Sequence, residues 1–115
     1  IMTSIVSKPW GTYQVIEEKE NYVVKRIVVN PGGVLSLQSH DNRSEHWVIV
    51  KGEAEVTVNE ITRTLKINEN IIIPQKTKHR MANKKEEKLI VIEVWLGDLL
   101  DENDIIRYHD IYNRK

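Results

Sequence analysis

Cysteine is absent from the 115 residues, and the chain also lacks long apolar runs and any excess of charge. Without cysteine there is no disulfide, thiolate ligand or cysteine nucleophile, so a metal site must use imidazole, carboxylate or amide groups. No apolar stretch approaches the roughly 20 residues that span a bilayer. The 17 basic and 17 acidic residues cancel, so no global field attracts nucleic acid or a membrane surface. We therefore expect a soluble protein that holds any anionic ligand with local charges.

A chain of 115 residues has room for one hydrophobic core, which predicts a single domain over residues 1–115. Residues 1–8 are expected to form an N-terminal arm, and residues 98–115 a C-terminal extension. The initial sequence IMTSIVSK has no long apolar core and no small-residue cleavage pattern. It does not resemble a secretory signal, and we expect a cytoplasmic location.

Short strands separated by turns, recurring at intervals of roughly 8–12 residues, account for nearly the whole chain. The predicted strands are 12–17, 22–29, 34–40, 45–50, 54–58, 61–67, 71–73, 79–82 and 89–96. Nothing before Gly97 has the 3.6-residue period of an amphipathic helix, and the tail 98–115 fits either a helical turn or an edge extension. Without a helical layer the sheets must cover one another. An all-β sandwich or barrel follows, and a jelly roll fits best.

Polar residues precede the apolar run WVIV and predict a metal site at the mouth of this barrel. Alternation places Gln38 and His40 on one face of strand 34–40, and Glu45 follows after a short loop. Amide oxygen, imidazole and carboxylate are all ligands for divalent cations, and His79 is the candidate fourth ligand. These ligand types are compatible with zinc, manganese, iron, cobalt or nickel. The competing explanation is a set of ordinary surface or hydrogen-bonded residues.

The strand that follows is apolar on both faces. Glu45, Trp47 and Ile49 share one face, and His46, Val48 and Val50 share the other. We interpret His46 as a packing or interface residue. We expect one face of the strand to pack against the barrel interior and the other face to pack against another element or subunit. His109, in a charged tail, is expected to be solvated.

Several short motifs are spread over nearly the whole chain. They are KPWG at 8–11, LSLQSH at 35–40, RSEHW at 43–47, HRMAN at 79–83, IEV at 92–94 and NDIIRYHDIYNR at 103–114. Together they resemble the type II mannose-6-phosphate isomerase domain of the cupin superfamily. Gln38 stands where most cupins have the first histidine of a His-x-His pair, an exchange typical of the isomerase branch. In that family the domain is usually fused behind a mannose-1-phosphate guanylyltransferase of GDP-mannose biosynthesis.

The resemblance implies a cupin double-stranded β-helix, or jelly-roll barrel, that binds one divalent metal ion. Gln38, His40, Glu45 and His79 would be its ligands, with zinc as the first choice and cobalt, manganese, magnesium, nickel or iron as alternatives. The implied reaction interconverts mannose 6-phosphate and fructose 6-phosphate through a cis-enediolate. The partner would be this phosphorylated hexose, and a homodimer is expected. Arg80 is the candidate cation that stabilises the enediolate, and a surface arginine is the alternative.

Further roles remain at the level of candidates. Arg43 and Lys78 are candidates for holding the substrate phosphate, for which arginine offers a bidentate fork. Glu93 lies inside the apolar run LIVIEVWL, where burial would raise its pKa toward that of a useful catalytic base, and exposure on an edge strand is the competing explanation.

The sequence departs from the family pattern at four positions. Asn42 and Ser44 stand where the family often has His and Ala, and Asn68 and Lys76 stand where it normally has glycines. Lysine at a glycine position is expected to reshape the rim of the site.

Two functions from different classes follow from these observations. The first is the metal-dependent isomerase. The second is a non-catalytic cupin module that binds a sugar or sugar phosphate. No glycine-rich nucleotide loop precedes the cupin motifs, and the chain has no room for a second α/β domain, so we expect no guanylyltransferase activity from it.

Overall fold

Eleven β-strands form the computed structural model, which describes residues 4–114. The strands are β1 (Val6–Lys8), β2 (Gly11–Glu18), β3 (Tyr22–Val29), β4 (Leu37–Ser39), β5 (Ser44–Lys51), β6 (Ala54–Val58), β7 (Ile61–Leu65), β8 (Asn70–Ile73), β9 (His79–Ala82), β10 (Leu89–Leu96) and β11 (Ile106–His109). Residues 4–114 contain no helix. This part of the chain therefore has no helix that is long and apolar enough to cross a membrane. The all-β prediction is confirmed.

The strands pair antiparallel in two sheets. The six-stranded sheet has the order β1-β2-β3-β10-β5-β8, and the five-stranded sheet has the order β11-β4-β9-β6-β7. Buried apolar side chains of both sheets meet in one core, among them Val29, Ile49, Val56, Met81 and Leu89. Alternation explains this packing, because every second residue of β5 and β10 is buried. The architecture is the predicted jelly-roll barrel.

Turn chemistry explains several of the strand boundaries. Asn59 and Glu60 join β6 to β7 with φ of 50° and 72°, the left-handed pair that a two-residue hairpin requires. Asn68 and Lys76, the positions where the family has glycines, also have positive φ, at 75° and 64°. The chain therefore keeps the glycine-type backbone at both positions and accepts the side-chain strain.

The structure shortens the predicted strands 34–40 and 61–67, adds β1 within the predicted N-terminal arm, and decides between the two alternatives for the tail. The predicted strand 34–40 is reduced to β4, preceded by an isolated bridge from Val34 to Ala82. This segment pairs with β9 only at separated points, so a continuous ladder does not form. The tail is not helical, because β11 pairs with β4 and extends the edge of the five-stranded sheet. Of the two alternatives for the tail, the edge extension is the observed one.

The outer face of the six-stranded sheet is apolar along β5 and β8. His46 pairs with Ile72 across these strands, and its Nε2 lies 2.9 Å from Asn70 Oδ1. Val50 is 45% exposed and Ile72 is 63% exposed. The inner face of β5 is buried as expected, whereas cover of the outer face by a second subunit stays a prediction.

Candidate metal centre

His40, Glu45 and His79 come together between the two sheets. His40 follows β4, and His79 opens β9, which pairs with β4 through the Gln38–His79 register. Glu45 lies on β5 in the opposite sheet and points inward by alternation. The three residues are only 2–3% exposed. Two neighbouring strands of one sheet and a third strand of the other thus deliver the predicted residues to one buried point.

The potential ligand atoms of this cluster are close to one another. One atom from each residue can be chosen so that all lie within 4.8 Å of one another. His40 Nε2 is 3.2 Å from His79 Nε2 and 3.1 Å from Glu45 Oε2. The two imidazole rings are tilted at 49°, with centroids 4.9 Å apart.

Backbone carbonyls fix the tautomers of both histidines. His40 Nδ1 donates to the carbonyl of Asp104 at 2.7 Å, and His79 Nδ1 donates to the carbonyl of Thr77 at 2.9 Å. Each Nε2 therefore presents a lone pair to the shared point. Burial lowers the pKa of His79, which favours the neutral form that binds metal. Two imidazole nitrogens and a carboxylate oxygen directed at one point are donor types that fit a divalent metal.

Arg43 lies against the same cluster. Its Nε donates to Glu45 Oε2 at 2.8 Å, its Nη2 donates to His40 Nε2 at 3.2 Å, and its guanidinium stacks 3.5 Å from the Trp95 ring centroid. Burial by itself would raise the pKa of Glu45, but the positive charge and hydrogen bond of Arg43 outweigh it and hold that pKa well below its usual range. Glu45 is therefore an anion at neutral pH.

Two Glu-x-Trp pairs form a crossed arrangement on adjacent strands, which we call the Glu–Trp square. Trp47 Nε1 donates to Glu45 Oε1 at 2.8 Å on β5, and Trp95 Nε1 donates to Glu93 Oε1 at 2.6 Å on β10. The register sets Glu93 opposite Trp47 and Trp95 opposite Glu45. Each indole therefore orients a carboxyl group of its own strand. The sequence signal for this arrangement is the repeated Glu-x-Trp pattern, EHW at 45–47 and EVW at 93–95. The prediction from sequence missed this signal.

Glu93 is buried in the middle of the six-stranded sheet, with 7% of its surface exposed. The explanation that it sits exposed on an edge strand is therefore wrong, because β10 has a neighbour on each side. Burial, followed by the charge of Glu45, raises the pKa of Glu93 to about 8, although Lys25 opposes the shift. Glu93 and Glu45 thus lie in the same site, where the pKa of Glu93 is raised and the pKa of Glu45 is lowered.

A cavity of about 260 Å³ adjoins the cluster. Its lining includes the predicted site residues Gln38, Arg43, Glu45, His79, Arg80 and Glu93. The amide nitrogen of Gln38 donates to Ser36 Oγ at 3.0 Å, so the amide oxygen is the atom that would reach a metal. Lys78 lies outside this lining, is exposed, and holds its ammonium 4.2 Å from the Tyr108 ring centroid.

Arg80 lines the cavity and is also anchored to the tail. Its Nε donates to the carbonyl of Leu35 at 2.9 Å, and its Nη2 donates to His109 Nδ1 at 2.7 Å. His109 is exposed, as expected for a solvated residue, and it also helps to hold the arginine that follows His79.

Two further residues at the site were missed by sequence reasoning. Asp104 accepts the His40 bond through its carbonyl, and its carboxylate accepts from the backbone N–H groups of Asp41 and Asn42, both at 2.9 Å. Lys25 lies buried in the cavity lining. Asp104 lies 64 residues along the chain from His40, so no local pattern signals this contact.

Comparison with known proteins gives consistent results. The family model described as "Mannose-6-phosphate isomerase C-terminal" matches residues 2–110. Mannose-1-phosphate guanylyltransferase ManC of Salmonella typhimurium is 46% identical over 109 residues, which cover 95% of this chain and 23% of that protein. Xanthan biosynthesis protein XanB of Xanthomonas campestris is 45% identical with the same coverage. The chain thus spans about a quarter of the length of these relatives.

A solved structure shares the fold. The RmlC-like cupin from Shewanella frigidimarina superposes with a TM-score of 0.75 at 17% identity, covering 89% of this chain and 87% of that one. Combined with the match of the family model over residues 2–110, this places the chain, by fold and by sequence, in the cupin-fold mannose-6-phosphate isomerase C-terminal family.

Proposed function

We propose that this domain interconverts mannose 6-phosphate and fructose 6-phosphate with one divalent metal ion. The observation that carries the proposal is the convergence of His40, Glu45 and His79 beside a cavity, with His40 Nε2 3.2 Å from His79 Nε2 and 3.1 Å from Glu45 Oε2. Gln38 in the same lining would complete the ligand set. Zinc suits these nitrogen and oxygen donors, and cobalt, manganese, magnesium, nickel or iron are the alternatives.

The chemistry requires one proton to move between C1 and C2 of the open-chain sugar and one hydroxyl proton to move between the oxygens on these two carbons. A bound metal would act as a Lewis acid on the sugar's carbonyl and hydroxyl oxygens. Glu93 is the proposed proton carrier, because its buried carboxyl lines the cavity and a pKa of about 8 suits a group that accepts and releases a proton near neutrality. It would take the proton from one carbon and return it to the neighbouring one. Trp95 keeps this carboxyl in a fixed orientation.

Negative charge develops on the substrate oxygens as the proton leaves, so a fixed cation in the cavity lowers the barrier. Arg80 is the proposed cation, because it lines the cavity and is held in place by Leu35 and His109. Arg43 instead keeps Glu45 ionised and so maintains the charge of the ligand set.

A cupin module that binds a sugar phosphate without turnover is the second candidate. The observation that favours it is the position of Arg43, whose Nη2 lies 3.2 Å from His40 Nε2 and so competes with a metal for that lone pair. In that case the cationic cavity would serve recognition alone. The guanylyltransferase activity named for the longer relatives is not part of this proposal.

A coupled assay for fructose 6-phosphate formation, run with zinc, cobalt, manganese or magnesium, tests the proposal together with metal analysis of the same sample. His79→Ala is expected to lose both metal and activity. His46→Ala is the matched control, since this histidine is adjacent to Glu45 but points to the outer face of β5, and it is expected to keep both. Bound metal without turnover would favour the binding module. Failure of the intact protein to bind any of these ions would refute the metal centre.

A further inference from the structure

Lys25 is a buried cation that has entered the chemistry so far only through its charge, which opposes the raised pKa of Glu93. Only 3% of its surface is exposed, and its ammonium lies 3.9 Å from the Trp95 ring centroid and 4.2 Å from that of Tyr13. Burying an ammonium group is costly unless an anion or an aromatic face compensates. The aromatic faces and one carboxylate, Glu102, supply this compensation. Lys25 is therefore a fixed positive charge in the wall of the cavity.

A second lysine lies on the same aromatic ring. The ammonium of Lys8, from the KPWG motif, is 5.8 Å from the Tyr13 ring centroid. Lys8, Tyr13 and Lys25 all line the cavity that also contains the metal cluster. Both ammonium groups therefore lie near one phenol ring. An anion bound between them would be attracted by both cations, and the phenolic hydroxyl of Tyr13 is a potential hydrogen-bond donor.

The cavity as a whole favours an anion. Its lining carries the cations Lys8, Lys25, Arg43, Arg80, Arg107 and Arg114 against the carboxylates Glu45, Glu93 and Glu102. A divalent metal on Glu45 would increase this positive excess. A ligand of this cavity is therefore expected to carry negative charge.

Glu102 forms an ion pair with Lys25 from a position where another anion can replace it. It lies on the irregular segment between β10 and β11, and its side chain is 51% exposed, whereas that of Lys25 is 4% exposed. A half-exposed carboxylate that leaves its partner regains hydration at little cost, whereas the buried ammonium does not. Glu102 can thus give way to an incoming anion while Lys25 stays in place.

The spacing of the two sites matches a phosphorylated hexose. Lys25 on β3 and Glu45 on β5 are separated by β10 and, by the pairing registers, by two residues along the strands. Two strand spacings of about 4.8 Å and two rises of about 3.3 Å place their backbones about 12 Å apart. Both residues line the cavity, so a six-carbon chain with its terminal phosphate can bridge the gap that remains between the two side chains. The reacting carbons would then lie at the cluster and the phosphate at the lysines.

We propose that Lys8, Tyr13 and Lys25 form the subsite for the phosphate group of the substrate, and that Glu102 fills this subsite until the substrate displaces it. The subsite rests on the proposed function, because it presumes a sugar phosphate. It also assigns the phosphate to residues other than Lys78, which lies on the outside of the cavity.

Titration of the metal-free protein with inorganic phosphate, followed by phosphorus NMR, tests the subsite without any turnover. Lys25→Met is expected to weaken phosphate binding about tenfold or more, which corresponds to the loss of one charge-assisted bond. Lys8→Met should also weaken binding, and Glu102→Gln should tighten it, because the competing carboxylate is removed. Lys78→Met is the matched control and should leave phosphate affinity unchanged.

Circular dichroism and thermal melting establish that each variant is folded. Lys25→Met keeps the length of the side chain, and the carboxylate that it leaves unpaired, Glu102, is half-exposed and can be hydrated, so the variant should stay folded. The inference is overturned if Lys78→Met alone weakens phosphate binding, if Lys25→Met has no effect, or if the parent protein does not bind phosphate. Phosphate binding that follows the predicted pattern in a protein without isomerase activity would refute the proposed reaction and leave the anion subsite standing.

Discussion

Asp104 connects the tail of the chain to the candidate metal centre, and its removal should weaken both folding and metal binding. Its carboxylate accepts hydrogen bonds from the N–H groups of Asp41 and Asn42, at 2.9 Å each. Its carbonyl accepts the Nδ1 proton of His40 at 2.7 Å. In Asp104→Ala the carbonyl remains, but the two bonds that fix the loop after His40 are lost. The orientation of the His40 ring then becomes less well defined.

The magnitude follows from the two lost bonds. Each intramolecular hydrogen bond contributes about 0.5–1.5 kcal/mol, and both are solvent-accessible, so we expect a loss of about 1–2 kcal/mol in the free energy of unfolding. Residues that orient a metal-binding histidine typically change metal affinity by about 10–100-fold when they are replaced. We therefore expect zinc affinity to fall about tenfold or more in Asp104→Ala.

The stability effect should depend on pH in a defined direction. Burial would raise the pKa of Asp104, but the hydrogen bonds from Asp41 and Asn42 outweigh it and the pKa is lowered. A lowered folded-state pKa means that the stabilisation is fully present above the unfolded-state value of about 4. It is lost as the pH falls through the folded-state value. The difference between the parent and Asp104→Ala should therefore shrink between pH 7 and pH 3.

Urea unfolding of the metal-free proteins at both pH values measures this difference, and competition with a chromophoric chelator measures zinc affinity. Asp98→Ala, an exposed carboxylate of the same segment, is the control and should match the parent in both assays. Asp104→Asn keeps one acceptor oxygen and should fall between the parent and the alanine variant. The reasoning is refuted if Asp104→Ala is as stable as the parent at pH 7, or if it loses stability while zinc affinity is unchanged.

Two further predictions concern backbone strain and assembly. Lys76→Gly should raise the free energy of unfolding by about 0.5–1 kcal/mol, because glycine adopts the φ of 64° without steric cost. Lys78→Gly is the control, because φ at this position is not positive and glycine there should lower the free energy of unfolding. Urea unfolding of both variants measures the two changes. We also propose that two copies pair through the outer face of β5 and β8, so Ile72→Glu should yield a monomer in light scattering. Ile61→Glu is the control, at an equally exposed residue of the other sheet, and should leave the dimer intact. A parent protein that is monomeric at high concentration would contradict the pairing.

The fold could be predicted closely because the signals for strands and turns are local. The predicted bounds of β3 and β10 agree residue for residue with the observed ones, since each strand is rich in β-branched residues and bounded by polar turns. The strand ending at His40 was overextended, because alternation shows which face a residue occupies but not whether a partner strand lies beside it. The tail was ambiguous for the same reason, as only its pairing with β4 distinguishes an edge strand from a helical turn.

The candidate site was predictable where its residues sit at fixed offsets along one or two strands. Gln38, His40 and Glu45 follow from alternation, and the structure brings His40 and Glu45 together with His79. Contacts that depend on the path of the tail were not predictable. Asp104 reaches His40, and Glu102 reaches Lys25. Both contacts depend on the path of the segment between β10 and β11, and no local pattern encodes that path.

The Glu–Trp square has a consequence for how the site can be observed. Two of the three tryptophans of the chain donate to cavity carboxyls, and Trp95 is also stacked against Lys25 and Arg43. The emission of an indole changes with the charges and hydrogen bonds around it. Any ligand that displaces Glu102, draws Arg43 away from Glu45 or neutralises Lys25 will alter that environment. The barrel interior thus carries its own optical reporter, and occupancy can be followed by intrinsic fluorescence without a label.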